Sequence, residues 1–370
     1  MSCRLIYLLA LGIMLSACKK SDPDPSAAGP SYVILSNNGF RTKGALYVYS
    51  PASSDLATMT YKQKGADQEA FSDLLIENAN IYAVTRLTKT VDYVNSKSYT
   101  VDQSARYSKE LKNPMYQEKH MAIGAGKLFV SDMIDRSDIS LLDKPASIKA
   151  FDQTNPSKVD SVGVLSYGMI TSVAISGDKL FVGHRDYFTD EIAVTVFDAN
   201  TYTVIKKILF TSTIITRLNP DKDGTIIGLQ FSGRLFRISP TDFSVTNLAS
   251  IASQPWISNA GVSNTIPFEV DTETNKLYYI NSSPLGGAVL SVYDLSSNTS
   301  ADLFTKYTSG HTLALDKTNK LLLVGDYNYN DFGSIADPIN IGALKIYSLT
   351  GELKKKIVMP FVPEKIVVKY

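Results

Sequence analysis

From Tyr32 onward the apolar positions fall into short runs separated by polar stretches rich in Asn, Asp, Ser, Thr and Gly. The runs are Tyr32-Val33-Ile34-Leu35, Ile81-Tyr82-Ala83-Val84, Leu128-Phe129-Val130, Leu180-Phe181-Val182, Ile226-Ile227-Gly228-Leu229, Leu277-Tyr278-Tyr279-Ile280 and Leu321-Leu322-Leu323-Val324. There are seven, spaced about 44–52 residues apart, a period at which repeat architectures occur. Each is followed by a segment with apolar and polar residues in alternation, such as Ala193-Val194-Thr195-Val196-Phe197-Asp198 or Leu290-Ser291-Val292-Tyr293-Asp294. Period-two patterning rich in β-branched and aromatic residues predicts strands. A further apolar segment precedes each pair (residues 171–175, 312–315), and a more polar one follows (residues 204–208).

Four strands per repeat and seven repeats predict an all-β, seven-bladed β-propeller over residues 31–370. Thr90-Val91-Asp92-Tyr93-Val94 is the least regular copy, and a six- or eight-bladed ring is the alternative if that region is miscounted. The first copy begins directly with its second strand, and Lys365-Ile366-Val367-Val368 is left over after the seventh. Pairing the N- and C-terminal strands would close the ring and remove its exposed edges. No helical stripe of useful length interrupts the pattern.

Before the repeats the pattern changes. Arg4 precedes an unbroken apolar run from Leu5 to Leu15, too short to span a bilayer but fitting a signal peptide. Leu15-Ser16-Ala17-Cys18 resembles the bacterial lipobox, which implies that Cys18 carries lipid and begins the mature chain. Two or three acyl chains would anchor the protein stably. The expected organisation is therefore a signal peptide over 1–17, the lipidated Cys18 and a tether over 18–30, and the propeller over 31–370. Residues 19–30, with Lys19-Lys20 ahead of Asp and Pro, cannot pack a core. A lysine-then-acidic stretch there resembles the surface-export signal of Bacteroidota lipoproteins. The expected location is the outer membrane, on the cell surface, with the periplasmic face as the alternative.

Charge and cysteine content narrow the chemistry. Lys and Arg number 37 against 36 Asp and Glu, so no global field favours nucleic acid, and none is expected as a partner. The two cysteines, Cys3 and Cys18, both precede the repeats, which excludes thiol catalysis and thiolate metal sites from the propeller.

The segments Gly177-Asp178-Lys179-Leu180-Phe181-Val182-Gly183, Val194-Thr195-Val196-Phe197-Asp198-Ala199-Asn200-Thr201 and Val204-Ile205-Lys206-Lys207-Ile208 resemble the YVTN/YncE-type propeller repeat. Residues 32–49, and Val324-Gly325-Asp326-Tyr327 with Tyr347, Gly351 and Pro363, resemble Bacteroidota surface lipoproteins of this fold. That group includes vitamin B12-capturing partners of outer-membrane transporters. The resemblance spans the repeats and implies a corrinoid ligand and a TonB-dependent outer-membrane transporter as partner. These motifs build blades, and no corrinoid-contacting residue can be matched position by position.

His120 and His311 each precede an inner strand, in blades nearly opposite one another, and His184 is read as lying on a blade 4 loop. One ion needs ligands about 2 Å away, so structural roles are expected for all three, with no metal and no cofactor. Asp132, Asp135, Asp138, Asp186 and Asp326 are read as loop carboxylates, the residue type that most often shapes turns. No P-loop, G-x-S-x-G or H-E-x-x-H pattern occurs, and no enzymatic activity is expected; a carboxylate-dependent hydrolase or lyase is the alternative.

The remaining signal is aromatic. Loops between second and third strands share a face with those entering each inner strand. They bring Phe40, Arg41, Arg136, His184, Arg185, Tyr187, Phe188, Tyr327, Tyr329 and Phe332 to one rim, and the entry loops add Tyr116, Tyr167 and Trp256. Rigid rings interleaved with Arg and Asn suit a bulky, partly polar ligand, although the same rings could pack between blades. The expected function is capture of a nutrient, a corrinoid ahead of siderophore-like chelates or glycans. A structural or adhesion propeller binding a protein is the alternative.

Overall fold

The computed structural model describes residues 29–37, 44–52, 55–58, 70–78, 80–85, 88–106, 120–132, 146–166, 168–186, 188–211, 213–251, 267–282, 288–306, 310, 312–327 and 341–370. Three strands of blade 1 come first: β1 (Ser31–Asn37), β2 (Gly44–Ser50) and β3 (Asp55–Thr58). Blade 2 is β4 (Phe71–Glu77), β5 (Asn80–Thr85), β6 (Thr90–Asn95) and β7 (Val101–Arg106). Blade 3 is β8 (Met121–Gly124), β9 (Lys127–Asp132), β10 (Ala146–Asp152) and β11 (Val159–Ser166). Blade 4 is β12 (Gly168–Ser176), β13 (Lys179–Asp186), β14 (Ile192–Asp198) and β15 (Val204–Phe210). Blade 5 is β16 (Ile215–Pro220), β17 (Ile226–Gln230), β18 (Arg234–Ile238) and β19 (Val245–Ser250). Blade 6 is β20 (Phe268–Asp271), β21 (Lys276–Ser282), β22 (Ala288–Asp294) and β23 (Thr299–Lys306). Blade 7 is β24 (Thr312–Asp316), β25 (Leu321–Tyr327), β26 (Gly342–Ser348) and β27 (Leu353–Met359).

The last strand, β28 (Val362–Lys369), returns to β1 and runs antiparallel to it, from Ser31 opposite Lys369 to Asn37 opposite Val362. Every blade thereby has four antiparallel strands, and the count is seven. The innermost strands β28, β4, β8, β12, β16, β20 and β24 each pack on the next, and β24 returns to β28. The protein is a closed seven-bladed β-propeller.

Why these sequences make these strands follows from what covers them. The second and third strands of a blade lie between neighbouring blades on both faces, so they read as nearly continuous apolar runs. Their side chains form seven clusters, one per blade interface. Leu180 and Val182 face blade 3, whereas Phe181 faces blade 5. Gly228 has a packing reason: a Cβ there would lie 2.1 Å from the Phe236 ring. Outer strands have one covered edge only. β15 exposes Val204 and Leu209, and Lys206 and Lys207 lie between them. Lysines on an open edge discourage pairing with another chain.

Candidate functional site

The two ends of the ring differ. At one end the chain turns tightly, and the turns between third and fourth strands are built by side chains. Asp198 accepts from the N–H groups of Asn200 and Thr201, Asp294 from those of Ser296 and Ser297, and Asp152 from those of Thr154 and Asn155. These bonds hold the Asp198 and Asp294 carboxyls below the usual range; for Asp152 the Thr154 hydroxyl contributes most. Such aspartates shape turns. From the opposite end leave all the connections of more than ten residues, 59–70, 107–120, 133–145, 251–267 and 328–341. We call this the loop face.

Of the residues expected at the rim, Phe40, Arg41, Tyr116, Arg136, Tyr167, Tyr187, Trp256, Tyr329 and Phe332 lie outside the described residues, as do Cys18, His311, Asp135 and Asp138. Tyr327 is the last residue of β25. Phe188 is 69% exposed beside a turn in which Asp186 accepts from the N–H groups of Phe188 and Thr189. Arg185 donates from Nε and Nη2 to one Asp190 oxygen, at 2.8 and 2.6 Å.

His184 corrects the sequence reading. It belongs to β13 and not to a loop, and is 1% exposed. The inner hairpin of blade 4 continues past it, pairing Met169 with Arg185 and Gly168 with Asp186. Only glycine fits at 168, because a Cβ there would lie 1.7 Å from the Arg185 carbonyl oxygen. Asp132, Asp186 and Asp326 are likewise strand residues, not loop residues.

Aligning the seven blades by the pairing of second and third strands reveals a register that reading each copy alone misses. Where each second strand reaches the loop face stand Ser36, Thr85, Asp132, His184, Gln230, Asn281 and Asp326. All seven are polar, one or two positions after an apolar run ends. Gln230 donates to the carbonyls of Thr211 and Thr213 in the connection from blade 4. Asp132 pairs with Lys89 of blade 2 at 3.0 Å, and Asp326 with Lys345 at 2.7 Å. The His184 Nε2 lies 2.9 Å from the Thr195 hydroxyl, while its Nδ1 and the Ser36 hydroxyl are buried without a partner among the described residues.

A second polar set lies on the inner strands, close to their loop-face ends. Lys365 of β28 stands 3.4 Å from Asp73 of β4, whose other oxygen accepts from the Met121 N–H of β8. Ser172 of β12 accepts from the Leu218 N–H of β16, and Arg217 of β16 donates to Glu269 of β20 at 2.8 Å. Each of these side chains reaches the inner strand of the following blade, and together they tie four of the seven inner-strand junctions; we call this set the collar. Asn37 secures it by accepting from the Phe71 N–H and donating to the Phe71 carbonyl and to Glu364. Local bulges between Phe71 and Asp73, Ile170 and Ser172, and Ile215 and Arg217 set this register. Among the described residues no group of three or more His, Cys, Asp or Glu side chains could hold a metal ion.

A buried carboxyl and a buried imidazole titrate away from their ordinary ranges. Burial pushes the Asp92 carboxyl up to about 6, against the hydrogen bond from Ser104. Burial also pushes His184 down to about 4, helped by the Lys207 charge and opposed by Glu191 and Asp186. Between about pH 4 and 6 folded Asp92 keeps a proton that the unfolded chain has released, so its cost rises with pH. Between about pH 6.5 and 4 folded His184 stays neutral while the unfolded imidazole charges, so its cost rises as pH falls. Each effect is on the order of 3 kcal/mol, and the two oppose one another. Urea unfolding at pH 4 and pH 7 should show Asp92→Asn gaining relative to wild type at the higher pH, and His184→Gln gaining at the lower. Equal effects at both pH values would contradict these protonation states.

No known family profile matches the chain, and no curated protein matches it. Solved structures do. A protein of Bacteroides fragilis assigned as a 6-phosphogluconolactonase is 13% identical, with 94% of this chain and 100% of that one covered and a TM-score of 0.62. One of Bacteroides uniformis with the same assignment is 12% identical over 92% and 99%, also at 0.62. The periplasmic gluconolactonase of Pseudomonas aeruginosa is 11% identical over 92% and 98%, again at 0.62. At such identity the likeness establishes the fold, and membership of the YncE-like lipoproteins is not established. It does overturn the expectation that the chain is no enzyme, because that rested on missing linear motifs. In a propeller, neighbouring polar groups come from separate blades, as Lys365 and Asp73 do here, and leave no such motif. The fold is compatible with a ligand- or protein-binding role.

Proposed function

We propose that this chain is a lipid-anchored cell-envelope propeller that takes a small polar ligand at its loop face. The reading is supported by one observation above all: every connection of more than ten residues leaves the ring at the end where the collar of Lys365, Asp73, Ser172 and Arg217 stands. Loops on a rigid scaffold over convergent polar groups are the usual setting of a ligand site. A corrinoid, handed on to an outer-membrane transporter, is the ligand suggested by the lipoprotein resemblance. A sugar lactone, bound and opened, is the second reading, favoured by what the similar structures are assigned as.

Calorimetry of the purified chain against cobalamin, a ferric chelate and an oligosaccharide tests the first. A pH-stat assay with gluconolactone and 6-phosphogluconolactone tests the second. One of these is expected to bind more tightly than about 1 mM or to turn over above the spontaneous rate. Neither result with any of the five would overturn the proposal. Incorporation of labelled palmitate, lost in Cys18→Ala, is the expected sign of the anchor.

A further inference from the structure

We infer that the collar is an anion site, with Lys365 and Arg217 as the groups that hold the ligand's acidic ends. The inference rests on the ligand site proposed above and names the chemistry of its occupant.

The argument starts from which collar groups are already used. The Asp73 carboxylate is saturated: one oxygen takes the Leu74 N–H and faces Lys365, and the other takes the Met121 N–H. Its side chain is only 11% exposed. The cations are different. Among the described residues Lys365 has one ionic contact, a long one at 3.4 Å, and 28% of its side chain is exposed. An ammonium has three donors, so most of that capacity is unspent. Arg217 spends Nη2 on Glu269, and its guanidinium lies over the Phe268 ring, 5.1 Å from the centroid. A guanidinium has five N–H donors, and among the described residues one of them is given to Glu269, at 22% exposure.

Position decides what could use both. Lys365 is the fourth residue of β28 and Arg217 the third of β16, so each sits close to the loop-face end of an inner strand. Around the ring β16 and β28 are separated by β20 and β24 on one side and by β4, β8 and β12 on the other. The two cations therefore stand on inner strands nearly opposite one another around the ring. A ligand with an acidic group at each end, carboxylate or phosphate, meets both; a single small anion meets one.

The test uses adipate, 6-phosphogluconate and inorganic phosphate as probes, by calorimetry on the full chain. Adipate or 6-phosphogluconate should bind, at least tenfold more tightly than phosphate, and weaken as salt rises. Lys365→Met and Arg217→Met should each weaken the two-ended probe by tenfold or more. Glu269→Gln removes the carboxylate that competes for Arg217, so it should strengthen binding about threefold or more. A purely structural role for the pair predicts no gain in that variant, which separates lost contact from lost fold. Failure of all three anions, with cobalamin or gluconolactone still handled, would overturn the collar assignment and leave the proposed function standing. Failure of every ligand would overturn both.

Discussion

A chain ending at Phe361 should fail to reach the native state. The missing strand, β28, is the inner strand of blade 1, and its loss strips β1 of the partner it meets along its whole length. Ile366 is 3% exposed in the cluster between blades 7 and 1, beside Tyr32, Leu323 and Leu344, and would leave that cluster open. The two residues after Val368 also tie blade 1 to both of its neighbours. Lys369 donates to the Ser96 carbonyl of blade 2, and the Tyr370 hydroxyl accepts from the Lys317 N–H of blade 7. Total stabilities of about 5–15 kcal/mol cannot absorb the loss of a ladder, a core face and two ties together. The expected result is a chain without near-ultraviolet circular dichroism or a cooperative thermal transition. Adding a peptide of residues 362–370 should restore part of that signal. A truncated chain that melts cooperatively within a few degrees of the full one would show that the ring does not depend on its closing strand.

The second large effect is expected at Asp326 and Lys345. The carboxylate is fully buried and the ammonium 11% exposed, at 2.7 Å. Lys345→Met removes the counter-charge from a buried carboxylate, which typically costs about 3–5 kcal/mol. For a domain of this kind that is a melting temperature lower by roughly 10 °C. The double change Asp326→Asn with Lys345→Met should recover most of the loss, because replacing a buried pair as a whole is often close to neutral. The control is Lys354→Met. Lys354 and its partner Glu352 are 46% and 66% exposed, and surface pairs contribute about 0–1 kcal/mol. Equal losses at Lys345 and Lys354 would mean that the buried pair has no special weight.

The fold could be read from the sequence because the same environment recurs in every blade. A second strand covered on both faces must be apolar throughout, so its runs stand out without any partner being known. The closing strand was legible as a surplus. Even the irregular copy around Asp92 keeps the period; its irregularity reflects a carboxylate buried mid-strand in β6. The site was less legible for a matching reason. Connections obey no period, and most of the proposed rim lies in them. The polar register from Ser36 to Asp326 was present in the sequence, but becomes visible only when all seven copies are superposed. The collar was hidden further, since bulges before Asp73, Ser172 and Arg217 shift each inner strand against its partner. His184 reads as a loop residue because Arg185 and Asp186 beside it look like a loop, while the glycine that lets the hairpin extend stands sixteen residues earlier.

Closure by β28 also orders events in time. Tyr32 donates its hydroxyl proton to Asp316, 284 positions away, and β1 meets its inner partner only when the last residues are available. Contacts of such separation form late, since the intervening loop entropy must be met first. Blades 2 to 7 can each assemble from neighbouring sequence, but blade 1 cannot. Until residue 362 emerges from synthesis or from a translocation pore, the growing chain is an arc with two free ends.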